Sequence, residues 1–298
     1  MKIFVTGGTG FVGKEIVRQL LAAGHEVRCL VRPGSENKLP AAEGLEACPG
    51  DATDPVSLEG RLQDCDGVIH LIGIIREFPK RGITFEKLNF ETAVNLVRAA
   101  ERQGVGRFIH MSANGAAESA RCNYFQTKYR AEKTVINSNL DWTVFRPSII
   151  FGKDDAFTNL LADIIRYSPV IPVIGDGQYR LAPVALGDVA NCFVGSLRNE
   201  KTNKRSFSLC GPDEVAYDRL LDIIAEALKR SPPRKIHLPV SLVKPFIALL
   251  EGFSRFPVTG EQLEMLLAGN ICRNKEWPEV FQIQPQAFAN TNLGYLKK

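Results

Sequence analysis

The first half of the chain alternates short, wholly apolar runs with longer stretches in which apolar residues recur every three or four positions. Ile3-Phe4-Val5 reads as a strand buried on both faces, and Lys14 to Ala23 sets Ile16, Val17, Leu20 and Leu21 on one face of a helix. Further β-rich runs stand at Glu26 to Val31, Leu45 to Cys48, Gly67 to Leu71, Phe108 to Met111 and Thr143 to Phe145. Between them lie helical patterns at Pro55 to Leu62, Thr84 to Gln103 and Asn123 to Asn137, the first opened by an Asp54 N-cap and a first-turn proline. This alternation predicts an α/β fold with a doubly wound parallel sheet over residues 1–150. Past Phe151 the rhythm shortens, with turns at Ser168-Pro169, Gly175-Asp176-Gly177 and Gly211-Pro212. Residues 151–298 are therefore expected to complete the sheet and to form a smaller C-terminal lobe over the substrate.

The glycines of Val5-Thr6-Gly7-Gly8-Thr9-Gly10-Phe11-Val12-Gly13 fall where the first strand turns into the first helix. That is the Rossmann-type arrangement for a dinucleotide pyrophosphate. Gly7 permits the tight turn, Gly10 lets the backbone approach the phosphates, and Gly13 lets helix and strand pack closely, with the helix dipole facing the negative charge. The backbone from Thr9 through Phe11 and Val12 to Gly13 forms the expected phosphate cradle. The second strand ends Val31-Arg32-Pro33, a cation where an acid would hold the ribose hydroxyls of NAD, so NADP is expected over NAD. Asp51, in Gly50-Asp51-Ala52-Thr53-Asp54, either accepts from the adenine amino group or only shapes a turn, and Asp54 caps a helix.

Tyr124 and Lys128 stand four residues apart, one helical turn, so phenol and ammonium share a face. A tyrosine of ordinary pKa about 10 is a poor base at neutral pH, and a nearby ammonium favours phenolate. Ser112, at the carboxyl end of the fifth strand, is placed to hydrogen-bond a substrate oxygen, and Lys128 also to hold the nicotinamide ribose. The four histidines, His25, His70, His110 and His237, are read as packing residues, and Asp188 as an N-cap. No metal site is expected.

These residues together resemble the short-chain dehydrogenase/reductase superfamily in its extended or atypical branch, the NAD(P)-dependent epimerase/dehydratase-like proteins. The resemblance rests on the opening glycine turn, Gly50 to Asp54, Val68-Ile69-His70-Leu71, Asn89, Tyr124 with Lys128, Arg146 to Gly152 and Asp188-Val189-Ala190. Leu71-Ile72-Gly73, Arg146-Pro147-Ser148, Pro183-Val184 and Leu209-Cys210-Gly211-Pro212 are similar to bacterial relatives of the nucleotide-binding accessory subunit of respiratory complex I. The likeness implies that Ala52, Leu71 and Pro147 line the cofactor and that Tyr124, Lys128 and Ser112 are catalytic. Two departures stand out: Ala113 occupies the position where a substrate-touching hydroxyl is expected, and the 113–123 segment is shorter than in sugar-nucleotide epimerases.

Composition narrows the partners. With 298 residues, 45% hydrophobic and 23% charged, and a formal charge of only +4, the chain is ordinary globular material with no nucleic-acid footprint. Seven cysteines without a C-x-x-C pair suggest that most are buried thiols in a reducing cytoplasm. A core strand directly after Met1 leaves no room for a cleaved signal, and no apolar run reaches about 18 residues. Leu238 to Phe256, rich in apolar residues with Lys244 and Arg255 among them, is either a lid helix over the substrate or an amphipathic helix docking on a membrane surface or partner. Two functions follow. One is an NADP(H)-dependent oxidoreductase or epimerase-like enzyme moving hydride to or from a carbonyl or alcohol of a small-molecule substrate. The other is a non-catalytic, NADP(H)-holding structural or redox-sensing subunit of a membrane respiratory complex, cytoplasmic and peripheral to the inner face of the membrane.

Overall fold

The computed structural model describes residues 1–251, 253, 256 and 258–297; Arg255 lies outside them. In chain order the elements are β1 (Lys2–Thr6), α1 (Phe11–Ala22), β2 (Glu26–Val31), β3 (Leu45–Pro49), β4 (Gly67–His70), α2 (Thr92–Arg102), β5 (Arg107–Met111), α3 (Asn123–Ile136) and β6 (Asp141–Pro147). There follow β7 (Ile150–Phe151), α4 (Ala156–Tyr167), β8 (Val170–Ile174), β9 (Arg180–Leu181), β10 (Val184–Ala185), α5 (Leu186–Gly195) and β11 (Arg205–Leu209). The last are β12 (Val215–Ala216), α6 (Tyr217–Ala227), β13 (Arg234–Leu238), α7 (Val240–Leu250), α8 (Gly260–Leu267) and α9 (Trp277–Phe281). Contacts gather these into two units, one of Met1–Pro147, Gly187–Leu209 and Lys275–Ile283, the other of Ser148–Leu186, Cys210–Asn274 and Gln284–Lys298.

The first unit is built on a seven-stranded sheet in the order β11-β6-β5-β4-β1-β2-β3, every pair parallel. Helices α1, α2 and α3 connect strands of this sheet, while β2–β3 and β3–β4 are joined by segments holding only 3₁₀ turns; Ile3, Phe4 and Val5 of the central β1 are fully buried in succession. The order reverses between β1 and β4, the switch point at which such sheets open a crevice. One row across the sheet is polar. Register aligns Thr6 with His70 and His70 with His110, Thr6 Oγ1 lies 2.8 Å from His70 Nδ1, and the two imidazoles stack at 5.2 Å. Burial keeps both rings neutral, pushing His70 down to about 3 and His110 well below its ordinary value.

The second unit pairs β8 with β13 in parallel and β9 with β12 antiparallel. Its core joins Leu161 and Ile165 of α4, Ile171 and Val173 of β8, and Leu220, Leu221 and Ile224 of α6, with Phe288, Leu293 and Leu296 of the C-terminal segment buried among them. Asp155 caps α4 by accepting from the Thr158 amide at 2.5 Å and receives the Tyr295 hydroxyl at 3.1 Å, fastening that segment.

Tertiary contacts redraw several predicted elements. The helix expected at Pro55 to Leu62 is a single 3₁₀ turn, Val56–Leu58, because the Gln103 side chain takes the Leu62 amide and donates to the Leu58 carbonyl. The helix expected from Thr84 begins with a π-helical turn, Glu86–Glu91, around Asn89, whose buried amide group is drawn to the backbone of Ile74. Asp188 sits three residues into α5 and not before it, since β10 runs directly into the helix. His237 is half exposed and pairs with Asp218 at 3.0 Å, so it is no core residue. Five cysteines are free and buried, as expected of most, but Cys210 and Cys272 form a disulfide: the Gly211 amide bonds to Ala182 O and the Ala182 amide to Asn270 O, which brings the two together.

Arg107 ties the far edge of the sheet. Its buried guanidinium donates to Asp141 O at 2.7 Å, Ser196 O at 2.7 Å, Thr143 Oγ1 at 2.6 Å and Thr202 Oγ1 at 3.0 Å. Burial pushes its pKa down to about 10. Replacing it strands acceptors in the interior, so Arg107→Met is expected to cost about 2–4 kcal/mol in chemical denaturation. A loss under about 0.5 kcal/mol would contradict this role.

Candidate dinucleotide-binding and active site

The opening turn is shaped by contacts that only hydrogen permits. Gly7 has φ +75°, and a Cβ there would meet the Leu71 carbonyl carbon at 3.0 Å. A Cβ on Gly13 would lie 2.1 Å from Gly7 O and 2.7 Å from Gly8 Cα, so helix α1 packs backbone to backbone on the end of β1. Gly8, which sequence reasoning left without a role, stands against Cys29 of β2, where a Cβ would come within 2.4 Å of the thiol sulfur. Gly10 is different. Its amide bonds to Gly7 O at 3.0 Å, and an added Cβ would meet only that carbonyl, at 3.2 Å. Helix α1 then starts with no side-chain cap and no acid in its first turn. The Phe11, Val12 and Gly13 amides have no carbonyl a turn earlier in the helix to accept from them, an arrangement suited to a diphosphate. Thr9 is half-buried beside them.

Other expected cofactor residues sit at the carboxyl ends of neighbouring strands. Leu71 extends the ladder by donating to Thr6 O at 3.1 Å. Arg32 is exposed directly after β2. Asp51 Oδ1 accepts from the Thr53 amide and hydroxyl, both at 2.8 Å, so the turn-shaping role is realised. Ala52 is buried and its carbonyl takes the Asn95 side chain at 3.0 Å. Pro147 ends β6, its carbonyl accepting from Asn114.

The residues expected to react lie at the end of β5 and on α3. Lys128 is buried and its Nζ donates to Met111 O at 2.5 Å. A Cβ built on Gly73 would lie 3.4 Å from both that nitrogen and Asn89 Oδ1, so the loop after β4 runs in close contact with the lysine. Ser112 follows Met111, its amide bonded to Phe145 O at 2.7 Å, and its buried hydroxyl has no hydrogen-bond partner among the described residues. Ala113, beside it, is buried. Tyr124 is half-buried, with Phe85 edge-on at 5.8 Å and Phe125 at 5.2 Å.

Electrostatics set the two titrating groups apart. Burial raises the Tyr124 phenol well above its ordinary value, and the neighbouring Cys122 adds to the rise. The expected lowering of this phenol is thus not a property of the chain alone. Burial pushes Lys128 down to about 8, opposed by the charge of Glu132. Glu132 lies one turn beyond Lys128 on α3, fully buried, and grips Arg146 of β6 through Nε to Oε2 at 2.9 Å and a second contact from Nη2 to Oε1. Sequence reasoning missed this pair, although the i, i+4, i+8 spacing of Tyr124, Lys128 and Glu132 signals it.

Comparison with known proteins agrees with this arrangement. The family model described as NAD(P)H-binding matches residues 7–169. The chain is 31% identical over 252 residues to NADH dehydrogenase (ubiquinone) 1 alpha subcomplex subunit 9, mitochondrial, of Arabidopsis thaliana, covering 82% of this chain and 62% of that protein. It therefore spans about three fifths of that relative's length. It is 28% identical over 252 residues to a ceramide reductase of Caulobacter vibrioides, covering 85% of this chain and 78% of the relative. Among solved structures, a nucleoside-diphosphate-sugar epimerase from Staphylococcus aureus superposes with a TM-score of 0.78 at 20% identity, with all of both chains covered, a likeness of fold. The glycine turn, the switch-point crevice and these matches lead to one conclusion: the chain belongs to the NAD(P)H-binding family, with a Rossmann-type fold like that of the sugar-nucleotide epimerase it superposes on.

Proposed function

We propose that this protein is an NADP(H)-dependent oxidoreductase or epimerase-like enzyme acting on a carbonyl or alcohol. The observation that carries the proposal is the buried Lys128 ammonium, held on Met111 O beside Ser112, whose hydroxyl lacks a protein partner among the described residues. The residues present fit a dinucleotide: an uncapped first turn of α1 for the diphosphate, and exposed Arg32 after β2 for a 2′-phosphate. When bound, the nicotinamide supplies or accepts the hydride. Ser112 orients the substrate oxygen, and Tyr124 gives or takes its proton. Lys128 holds the ribose and favours the phenolate by its charge, offsetting the burial that otherwise raises the phenol. Ala52, Leu71 and Pro147 border the cofactor along the strand ends.

A second reading is favoured by the relatives named as NADH dehydrogenase subunits and by Ala113 where a hydroxyl is expected. In it the chain holds NADP(H) as a structural or redox-sensing element and touches a respiratory complex at the membrane. Among the described residues no helix is long and apolar enough to cross a membrane.

Variants, a pH profile and a cofactor-exchange measurement test these readings. Gly13→Ala drives a methyl into Gly7 O and is expected to weaken NADPH binding by at least about tenfold in a fluorescence titration. Arg32→Ala should lower affinity for NADPH by about tenfold while leaving NADH unchanged; equal losses would remove the preference for the phosphorylated coenzyme. Tyr124→Phe should abolish reduction across a panel of carbonyl compounds and retain NADPH binding. In the wild type kcat/KM should fall as pH rises through about 8, because Lys128 is charged below that value and neutral above it. No turnover with any panel member, together with cofactor exchange too slow to follow by dilution, would select the second reading.

A further inference from the structure

Helix α7 is apolar on two sides. Its inward side carries Val240, Val243, Ile247 and Leu250, of which Ile247 is 3% exposed. The opposite side carries Leu242, Phe246 and Leu249, exposed by 62%, 66% and 74%, at the i, i+4, i+7 spacing that lines up side chains along a helix. Phe253, just beyond the helix, continues the spacing and is 66% exposed. A surface helix of a globular fold normally turns charged or polar residues outward. Here three large side chains do the reverse.

The charge around this stripe names what covers it. From Lys229 to Leu250 the chain carries Lys229, Arg230, Arg234, Lys235 and Lys244 and not one Asp or Glu. These 22 residues hold a formal +5 within a chain whose total is +4, so everything else sums to −1. Lys235 and Lys244 reach Asp222 and Glu264, whereas Lys229, Arg230 and Arg234 are exposed. A second copy of the chain would oppose like charges across the contact. An apolar stripe on a helix too short to span, within an acid-free cationic segment, matches an interface of acyl chains beneath anionic headgroups.

We infer that α7 docks the protein on an anionic phospholipid surface, with Leu242, Phe246 and Leu249 entering the acyl boundary and the exposed Lys229, Arg230 and Arg234 facing the headgroups. This goes beyond the cofactor reading and does not depend on it. Flotation of the full-length protein with phosphatidylcholine vesicles, with and without about one third phosphatidylglycerol, is the test. The wild type should float with the anionic vesicles, remain behind with the neutral ones, and release at high salt. Leu242→Ser/Phe246→Ser/Leu249→Ser should lose at least about tenfold in partitioning while unfolding temperature and NADPH affinity stay unchanged. Phe246→Trp gives a second readout, a blue shift of emission on adding anionic vesicles. Absence of wild-type flotation, equal flotation of the triple variant, or an unshifted tryptophan would overturn the proposal. So would self-association abolished by the triple substitution, or attachment to protein-bearing membranes without attachment to pure lipid.

Discussion

The contact between Gly13 and the Gly7 carbonyl governs the first unit. With no room for even a methyl between them, α1 starts hard against the end of β1, and its first turn looks along the crevice where the strand order reverses. Had the helix begun one residue later or stood off by a side chain's width, the free amides would point elsewhere. The same economy of space recurs where Gly8 meets Cys29. Gly7, Gly8 and Gly13 each answer a specific neighbour, so the opening turn is a close-packed corner of the sheet.

Beneath that corner the core is unusually polar. Thr6, His70 and His110 occupy one row of three neighbouring strands, and Lys128 approaches from α3 with a charge that further disfavours protonation of both rings. The imidazoles therefore stay neutral, so no charge competes with the ammonium above them. Glu132, buried one turn further along α3, would be a costly charge by itself and is compensated by Arg146 at the end of β6. This ion pair fixes α3 to β6 and leaves Lys128 held by a carbonyl, not by a carboxylate. A lysine so placed keeps its charge near neutral pH yet lies close to losing it.

Much of this was legible along the chain. The apolar runs marked six strands of the sheet, β1 to β6, to within two residues, because strands buried between helices are composed almost wholly of apolar residues. The glycine turn and the Tyr124–Lys128 pair were readable because their spacing is local, set by one turn of backbone or one turn of helix. Where the reading failed, a partner distant in sequence had intervened. Gln103 replaced the helix at Pro55 to Leu62, Ile74 drew Asn89 into a π-helical turn, and the strand contacts of Ala182 brought Cys210 to Cys272.

The sequence by itself determined the class of fold, the dinucleotide turn and the residue types able to move a proton, since periodicity and short-range spacing are properties of a chain before it folds. Only the tertiary structure decided the state of those groups. The neutrality of His70 and His110, the high phenol of Tyr124 and the lowered lysine at 128 arise from desolvation, which depends on everything packed around a residue and on nothing in its immediate sequence. The outward stripe of α7 was decided in the same way: an apolar helix was evident, but which of its two apolar sides the core would take was fixed only when the inward residues found their neighbours.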